Sequence, residues 1–140
     1  MNNKGLEISL NNQLSELESL NRYIDDLAEQ LELPVAIVMN LNLVLEEIIT
    51  NIINYAYEDN HEHKITINAT KQNAVLKVRI EDDGKAFNMM AYPEPETNLS
   101  AEKRNIGGLG IHFVKKLMDE VEYEYTDNKN ILVLKKRLDS

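Results

Sequence analysis

The residues of this chain best suited to chemistry begin with four polar side chains in an otherwise apolar segment. They are Glu47, Asn51, Asn54 and Glu58, spaced by four, three and four residues, so they would share one face of a helix. The Asn51 carbonyl oxygen suits Mg²⁺, which takes oxygen ligands, and Glu47 one turn away can orient or deprotonate an attacking hydroxyl. Taken alone, the spacing favours a plain solvent-facing stripe, because most glutamates lie at the surface.

A second group of polar residues follows an alternating apolar run. The run has its apolar residues at positions 74, 76, 78 and 80, so Asp82 continues the inward row of a strand while Asp83 points outward. A buried carboxylate needs a hydrogen-bond donor, and the amino group of adenine would serve. Gly84 would let the backbone pass close to the base. On their own, these residues are more simply explained as an ordinary Asp-Gly turn.

A third group consists of glycines at 107, 108 and 110, which surround Leu109 at the predicted start of a helix. Such a run permits a backbone nest whose N–H groups point at an anion, and the helix dipole assists. Its spacing is neither that of a Walker loop nor that of a dinucleotide-binding fingerprint. By itself the run fits a joint between a loop and a helix.

The hydrophobic pattern predicts the elements that must position these groups. Alternation over 6–10 predicts a first strand, and apolar residues at intervals of three and four predict a helix over 14–31. Pro34 suits the first turn of a second helix, which runs to about Tyr57. This helix is apolar around most of its circumference, so we expect it to be largely buried.

The second half of the chain is predicted to hold four strands and one helix. Two strands over 64–70 and 74–81 form a hairpin with a turn at 71–73. Residues 88–106 follow neither period, with room for a short helical turn; a loop this long is often a lid over a site, and a disordered surface excursion is the alternative. A third helix follows the glycines, with Ile111, Val114, Met118 and Val121 on one face. Two final strands, about 121–126 and 131–138, are joined by a turn at 127–130.

This element order predicts an α+β two-layer sandwich in which helices cover one face of a mixed, mostly antiparallel sheet. The length of 140 residues fits a single domain over 1–140, with a lid at 88–106. The net charge of −9 argues against nucleic acid as a direct partner. There is no Cys for a disulfide framework, no apolar run of the ~18 residues that span a bilayer, and no signal-peptide core. We therefore expect a cytoplasmic protein with no membrane partner.

Taken together and in this order, the three groups resemble the motifs of the GHKL ATPase superfamily, shared by gyrase, sensor histidine kinases, mismatch-repair ATPases and a heat-shock chaperone. Residues 47–51 match its N box (Glu-x-x-x-Asn), 82–84 its G1 box (Asp-x-Gly) and 108–110 its G2 box (Gly-x-Gly). The runs 45–51, 54–57 and 108–119 look most like the bacterial anti-sigma-factor serine/threonine protein kinases. The resemblance covers nearly the whole chain.

The resemblance implies a Bergerat, or histidine-kinase-like, ATPase fold that binds ATP and Mg²⁺, with 88–106 as the ATP lid. It makes Glu47 the catalytic base, Asn51 the Mg²⁺ ligand and Asp82 the adenine anchor. Together with Asn51 and Asp82, the residues expected to contact the nucleotide are Asn54, Gly84, Phe87, Arg104, Gly108, Leu109 and Gly110.

Two features of the chain fall outside the family pattern. Many members carry a Gly-Thr pair at the entry to the last strand, where this chain has Asn128-Lys129-Asn130, so adenine contacts from this edge stay open. The three histidines, His61, His63 and His112, match no part of the family's chemistry. His61 and His63 flank Glu62 and could suggest a metal, but a solvated turn is the better interpretation of this position.

The function that the resemblance implies is Mg-ATP-dependent phosphorylation of a Ser or Thr on a small antagonist protein, of the sulfate-transporter-and-anti-sigma-antagonist type. A sigma factor would be a second partner, held by sequestration, and a homodimer is an option by resemblance. The alternative is a nucleotide-gated binding switch of the same fold without phosphoryl transfer; an intact Glu47 favours the kinase. Three motifs in the correct order argue against a structural domain with no ligand.

Overall fold

A computed structural model describes residues 4–59, 61–91 and 109–138 of the chain. The strands are β1 (Lys4–Asn11), β2 (Lys64–Gln72), β3 (Val75–Asp82), β4 (Glu120–Thr126) and β5 (Lys129–Arg137). The helices are α1 (Leu17–Gln30), α2 (Val35–Tyr55) and α3 (Leu109–Leu117). Short 3-10 turns lie at Leu14–Glu16 and Met89–Ala91.

The strands form one sheet in the order β1-β2-β3-β5-β4, with β3 at its centre. All pairings within this described sheet are antiparallel, where a mixed sheet was expected. The register places Asp82, the last residue of β3, opposite Ile65 of β2 and Asn130 of β5. The end of β3 is therefore flanked on both sides, and any side chain there on the helix side of the sheet is enclosed.

The helices cover the apolar face of the sheet. The buried strand residues alternate along β2 and β3, with half-buried or exposed residues between them. The buried residues of α2 meet this face; they are Ile37, Leu41, Val44, Leu45, Ile48, Ile49, Asn51 and Ile52. This arrangement confirms the predicted α+β class.

Among the described residues, α2 is the one helix long and apolar enough to cross a membrane. Its composition is explained by its place in the core, since it packs against α1, α3 and the sheet. The prediction of a largely buried second helix holds for one side of α2. Its other side carries exposed apolar residues at 35, 39 and 43.

Several predicted boundaries were wrong. The helix expected over 14–31 begins as a 3-10 turn and becomes α1 only at Leu17. Pro34 is extended and precedes α2 instead of lying in its first turn. Because α2 ends at Tyr55, Glu58 lies beyond the helix and does not continue the stripe that begins at Glu47.

The third helix and the last strands also differ from expectation. Val121 lies in β4, so it does not extend the face of α3 that carries the buried Val114. The final turn consists of Asp127 and Asn128, both in the left-handed region, and β5 begins at Lys129. Asn130 is therefore a strand residue, although the sequence suggested a turn. Of the expected lid, positions 92–106 lie outside the described residues.

Candidate functional site

Glu47 and Asn51 lie one turn apart on α2 and are hydrogen-bonded to each other. The side-chain amide nitrogen of Asn51 donates to Oε2 of Glu47 at 2.7 Å and to the Glu47 carbonyl oxygen at 2.8 Å. Asn51 is only 4% exposed, whereas Glu47 is half-buried and borders an open groove. The pair thus sits where the apolar core meets the surface.

This bonding pattern orients both side chains. A carboxylate can only accept hydrogen bonds, so the NH₂ group of Asn51 must face Glu47 and its carbonyl oxygen must face away. Asn51 then fixes one oxygen of Glu47 and leaves Oε1 for another partner. The pair thus leaves two acceptors without a partner from each other, the Asn51 amide oxygen and Oε1 of Glu47, which are the kinds of group that a metal-bound nucleotide and an attacking hydroxyl require.

The other two members of the polar stripe stand apart from this pair. Asn54 is exposed on α2, and Glu58 is exposed beyond its end, where it lies 3.8 Å from the Lys85 ammonium. The structure therefore brings Glu47 and Asn51 together and leaves Asn54 and Glu58 at the surface.

Asp82 is buried at the end of β3, as the strand phase predicted, and Asp83 is exposed. Its side chain is 4% exposed, and burial raises the pKa of this carboxyl above its usual value. Two donors, the Gly84 amide at 2.9 Å and the Asn130 side chain at 3.0 Å, partly counter that rise. Both donors end on Oδ1, so Oδ2 is the oxygen placed to receive a ligand N–H group.

Asn130 connects the residues around Asp82 and was missed by the sequence analysis. Its NH₂ group donates to Oδ1 of Asp82 and, at 2.8 Å, to the carbonyl of Lys85. Its carbonyl oxygen accepts from the Phe87 amide at 3.0 Å and from the Tyr123 hydroxyl. One buried side chain therefore joins β3, β4, β5 and the segment after β3. The alternation of buried residues along β5 could have indicated that Asn130 points inward. The predicted turn at 127–130 hid this, because it extended two residues too far.

Gly84 is required by packing against the end of α2. A Cβ at this position would lie 2.5 Å from the Ala56 carbonyl oxygen and 2.6 Å from the Ala56 Cβ. The next amide, Lys85 N–H, donates to that same carbonyl at 2.8 Å. The expected approach of a base to Gly84 stays a prediction; the structure shows that this glycine lets the segment after β3 dock against the end of α2.

A small cavity lies directly beside Asp82. It is lined by Ile52, Ile80, Asp82, Phe87, Met89, Tyr123, Asn130 and Leu132. The volume that the centre of a water molecule can occupy inside it is about 10 Å³, so the cavity holds about one water. A purine is many times larger, so an adenine ring enters only if side chains of the lining move. Ile52, which lines this cavity, follows Asn51 on α2.

The glycine group is only partly described. Leu109 and Gly110 form the first two positions of α3, in keeping with a helix that opens at the glycines. Arg104, Gly107 and Gly108 lie outside the described residues. Among the residues that the structure describes, α3 packs against α2, the helix that carries the Glu47–Asn51 pair.

His63 belongs to a separate surface cluster. Its ring nitrogens lie 2.8 Å from Oδ1 of Asp59 and 3.1 Å from Oδ1 of Asp83, and the ring stacks on Tyr57 at 4.3 Å. The bond to Asp59, and then that to Asp83, raises the pKa of His63. No three His, Asp or Glu side chains of the described residues are grouped to hold a metal ion.

The acceptor oxygens of the described residues suit a magnesium nucleotide, and the cavity beside Asp82 must widen to admit the base. Asp82 offers a buried acceptor oxygen beside a cavity, and Asn51 offers an amide oxygen turned away from Glu47. Amide and carboxylate oxygens suit Mg²⁺, which takes few protein ligands and keeps phosphate and water in the remaining positions.

Comparison with known sequences gives a consistent result. The family profile described as "Histidine kinase-like ATPase domain" matches residues 10–136. Serine-protein kinase RsbW of Listeria monocytogenes serotype 4a (strain HCC23) is 28% identical over 102 residues, 70% of this chain and 65% of that protein. Anti-sigma F factor of Bacillus thuringiensis (strain Al Hakam) is 30% identical over 111 residues, 78% of this chain and 75% of that protein. The matched part thus spans slightly less than two thirds of the Listeria relative.

Solved structures share the fold. The RsbU and RsbW domains of Rv1364c from Mycobacterium tuberculosis superpose with a TM-score of 0.68 at 12% identity, covering 96% of this chain and 32% of that one. The histidine kinase domain of the blue-light activated histidine kinase EL346 from Erythrobacter litoralis gives 0.56 at 19% identity, covering 89% of this chain and 60% of that one. Identities this low bear on the fold alone.

Proposed function

The chain belongs to the histidine kinase-like ATPase family, and we propose that it is a protein serine/threonine kinase of the anti-sigma-factor type. It uses Mg-ATP to phosphorylate a Ser or Thr on a small antagonist protein. Its second partner is a sigma factor, which it sequesters. It acts in the cytoplasm. The relatives named serine-protein kinase and anti-sigma F factor support this choice within the family.

The observation that carries the proposal is the hydrogen bond between Glu47 and Asn51. A family member that only binds nucleotide needs the amide oxygen of Asn51 but has no need of a carboxylate held beside it. Here Glu47 has one oxygen fixed by Asn51, and the residue lines a groove open to solvent. A hydroxyl delivered through that groove would meet a positioned proton acceptor.

ATP would be held by residues from three elements. The Asp82 carboxylate would accept the exocyclic N–H of adenine at Oδ2, and Phe87 and Gly84 would border the ring. Asn51 would supply a protein ligand to Mg²⁺, which when bound neutralises charge on the phosphates. The start of α3 would direct backbone N–H groups at the phosphates. Asn54, Arg104 and the residues Gly108, Leu109 and Gly110 complete the proposed nucleotide contacts.

The reaction moves one phosphoryl group. The acceptor hydroxyl oxygen forms a bond to the γ-phosphorus, the bond between that phosphorus and the bridging oxygen of the β-phosphate breaks, and ADP leaves. The hydroxyl proton passes to Oε1 of Glu47. Because such transfers depend mainly on positioning and charge stabilisation, the task of this chain is to hold both reactants in line.

Phosphorylation of a purified antagonist protein tests the proposal. The chain is incubated with γ-labelled ATP, Mg²⁺ and a small antagonist protein of the sulfate-transporter-and-anti-sigma-antagonist type. The expected result is label on a Ser or Thr of the antagonist. Tight ATP binding without transfer to any such protein would instead favour the nucleotide-gated binding switch.

A further inference from the structure

A ridge of apolar side chains runs along the outer side of α2. Val35, Met39 and Leu43 are 76%, 65% and 58% exposed, although the opposite side of the same helix is committed to the core. Single exposed apolar residues are ordinary, but three in one row are a patch that water solvates poorly. This row was not predicted, because the sequence pattern of α2 indicated a largely buried helix.

The ridge continues to Glu47. Val35, Met39 and Leu43 are spaced by four residues, and the next step of four along α2 is the half-buried Glu47. Residues at this interval form one continuous surface row on a helix. At 1.5 Å per residue, the row from Val35 to Glu47 is about 18 Å long.

A groove joins the end of the ridge to Glu47. It is lined by Asn42, Leu43, Glu46, Glu47 and Thr50. Leu43 thus belongs both to the apolar ridge and to the groove that opens on the Glu47 carboxylate. A polypeptide lying on the ridge would meet this groove at Leu43, and Glu47 lines the same groove.

We propose that this ridge and groove form the docking surface for the phosphate-accepting protein. The occupant is a protein surface that carries an apolar side chain for Met39 and Leu43 beside the Ser or Thr to be phosphorylated. Glu46 and Glu47 face the groove, so the residues around that hydroxyl are neutral or basic. This inference rests on the proposed kinase function and specifies where its protein substrate binds.

The size of the surface favours a transient partner over a second copy of the chain. A stable interface engages roughly 20–30 residues on each side, whereas the ridge offers three apolar side chains and a polar groove. A kinase must also release its product, which suits a small contact. A symmetric dimer formed through the ridge would cover the approach to Glu47.

The test compares the parent protein with a Met39→Gln, Leu43→Gln double variant. Both positions are exposed and glutamine is a good helix former, so the fold is retained. Leu14→Gln is the matched control, because Leu14 is a half-exposed leucine away from α2. Binding of the purified antagonist protein is measured by calorimetry in the presence of Mg²⁺ and a non-hydrolysable ATP analogue, and phosphoryl transfer is measured separately.

The double variant should bind the antagonist about 10–100-fold more weakly, with a matching rise in KM for the antagonist. The affinity for the ATP analogue should be unchanged, and Leu14→Gln should behave like the parent protein.

Equal antagonist affinity in parent and double variant overturns the docking proposal, as does a parent protein that does not bind the antagonist. Loss of a dimer in sedimentation, with antagonist affinity retained, would assign the ridge to self-association and also overturn it. Binding lost in the double variant, with no transfer by the parent, would support the docking surface while refuting the kinase.

Discussion

The side-chain amide of Asn130 donates to Oδ1 of Asp82 at 3.0 Å, and the two residues are register partners on β5 and β3. The Asn130 side-chain NH₂ group also donates to the Lys85 carbonyl oxygen, and the Asn130 side-chain oxygen accepts a hydrogen bond from the Phe87 amide. Asn130 therefore fixes both the proposed adenine acceptor and the segment that covers the cavity beside it. The last strand, where the family's Gly-Thr pair is replaced, contributes to the site through a residue of different chemistry.

Asp82→Asn should separate stability from nucleotide binding. Asparagine keeps an oxygen for the Gly84 and Asn130 donors but places an NH₂ group where adenine's amino group needs an acceptor. Loss of one such hydrogen bond lowers ATP affinity about 10–100-fold, measurable by calorimetry. The raised pKa of Asp82 means that its charged form costs folding free energy at neutral pH, so the melting temperature should stay or rise. Asp83→Asn is the control, and an unchanged ATP affinity in Asp82→Asn would refute the adenine anchor.

Asn130→Ala should weaken both the fold and nucleotide binding. The substitution takes one donor from the buried Asp82 carboxylate and one acceptor from the Phe87 amide, which keeps its bond to the Tyr123 hydroxyl at 3.2 Å. Loss of a donor to a buried carboxylate costs about 1–3 kcal/mol. Urea unfolding and ATP titration measure the two effects. Asn68→Ala removes an exposed Asn-to-carboxylate bond, the one to Glu7, and should cost far less. If Asn130→Ala unfolds at the same urea concentration as the parent, as Asn68→Ala nearly should, Asn130 does not connect these elements.

Gly84→Ala should disrupt the contact between the segment after β3 and the end of α2. The new Cβ would meet the Ala56 carbonyl oxygen at 2.5 Å, and backbone cannot yield as a flexible side chain can. We expect a loss of about 1–3 kcal/mol of unfolding free energy together with weaker ATP binding. Ala86→Ser, at an exposed position two residues on, should change neither quantity. Parental stability in Gly84→Ala would show that the close approach to Ala56 is not maintained.

His63 should make stability depend on pH. Its pKa is raised in the folded chain, chiefly by the bond to Asp59, so the folded state favours the protonated ring. This stabilisation is fully present below the ordinary pKa of about 6.5 and is lost as the pH rises through the higher folded value. His63→Gln should flatten the profile of unfolding midpoint against pH in that window, whereas His61→Gln should not. A profile that keeps its slope in His63→Gln would assign the dependence to other groups.

Much of this arrangement followed from sequence because it depends on local periodicity. The phase of the run ending at Asp82 correctly separated a buried from an exposed aspartate, and the spacing of Glu47 and Asn51 predicted a pair on one helix. Asn130 could not be placed in the same way. Asparagines favour turns, so 127–130 looked like one continuous turn, and the partner of Asn130 lies 48 residues away on another strand. The bonds of His63 to Asp59 and Asp83 likewise depend on tertiary packing.

In the proposed reaction, Glu47 is a general base held in place by Asn51. Single-turnover transfer of labelled phosphate from ATP to the antagonist protein tests this role in the parent, in Glu47→Gln, and in Glu58→Gln as the control. Glutamine keeps the shape of Glu47 but cannot take the proton, so transfer should slow about 10²–10⁴-fold while ATP affinity stays near the parental value. Glu58→Gln should transfer phosphate at the parental rate. Transfer by Glu47→Gln at the parental rate would contradict this role.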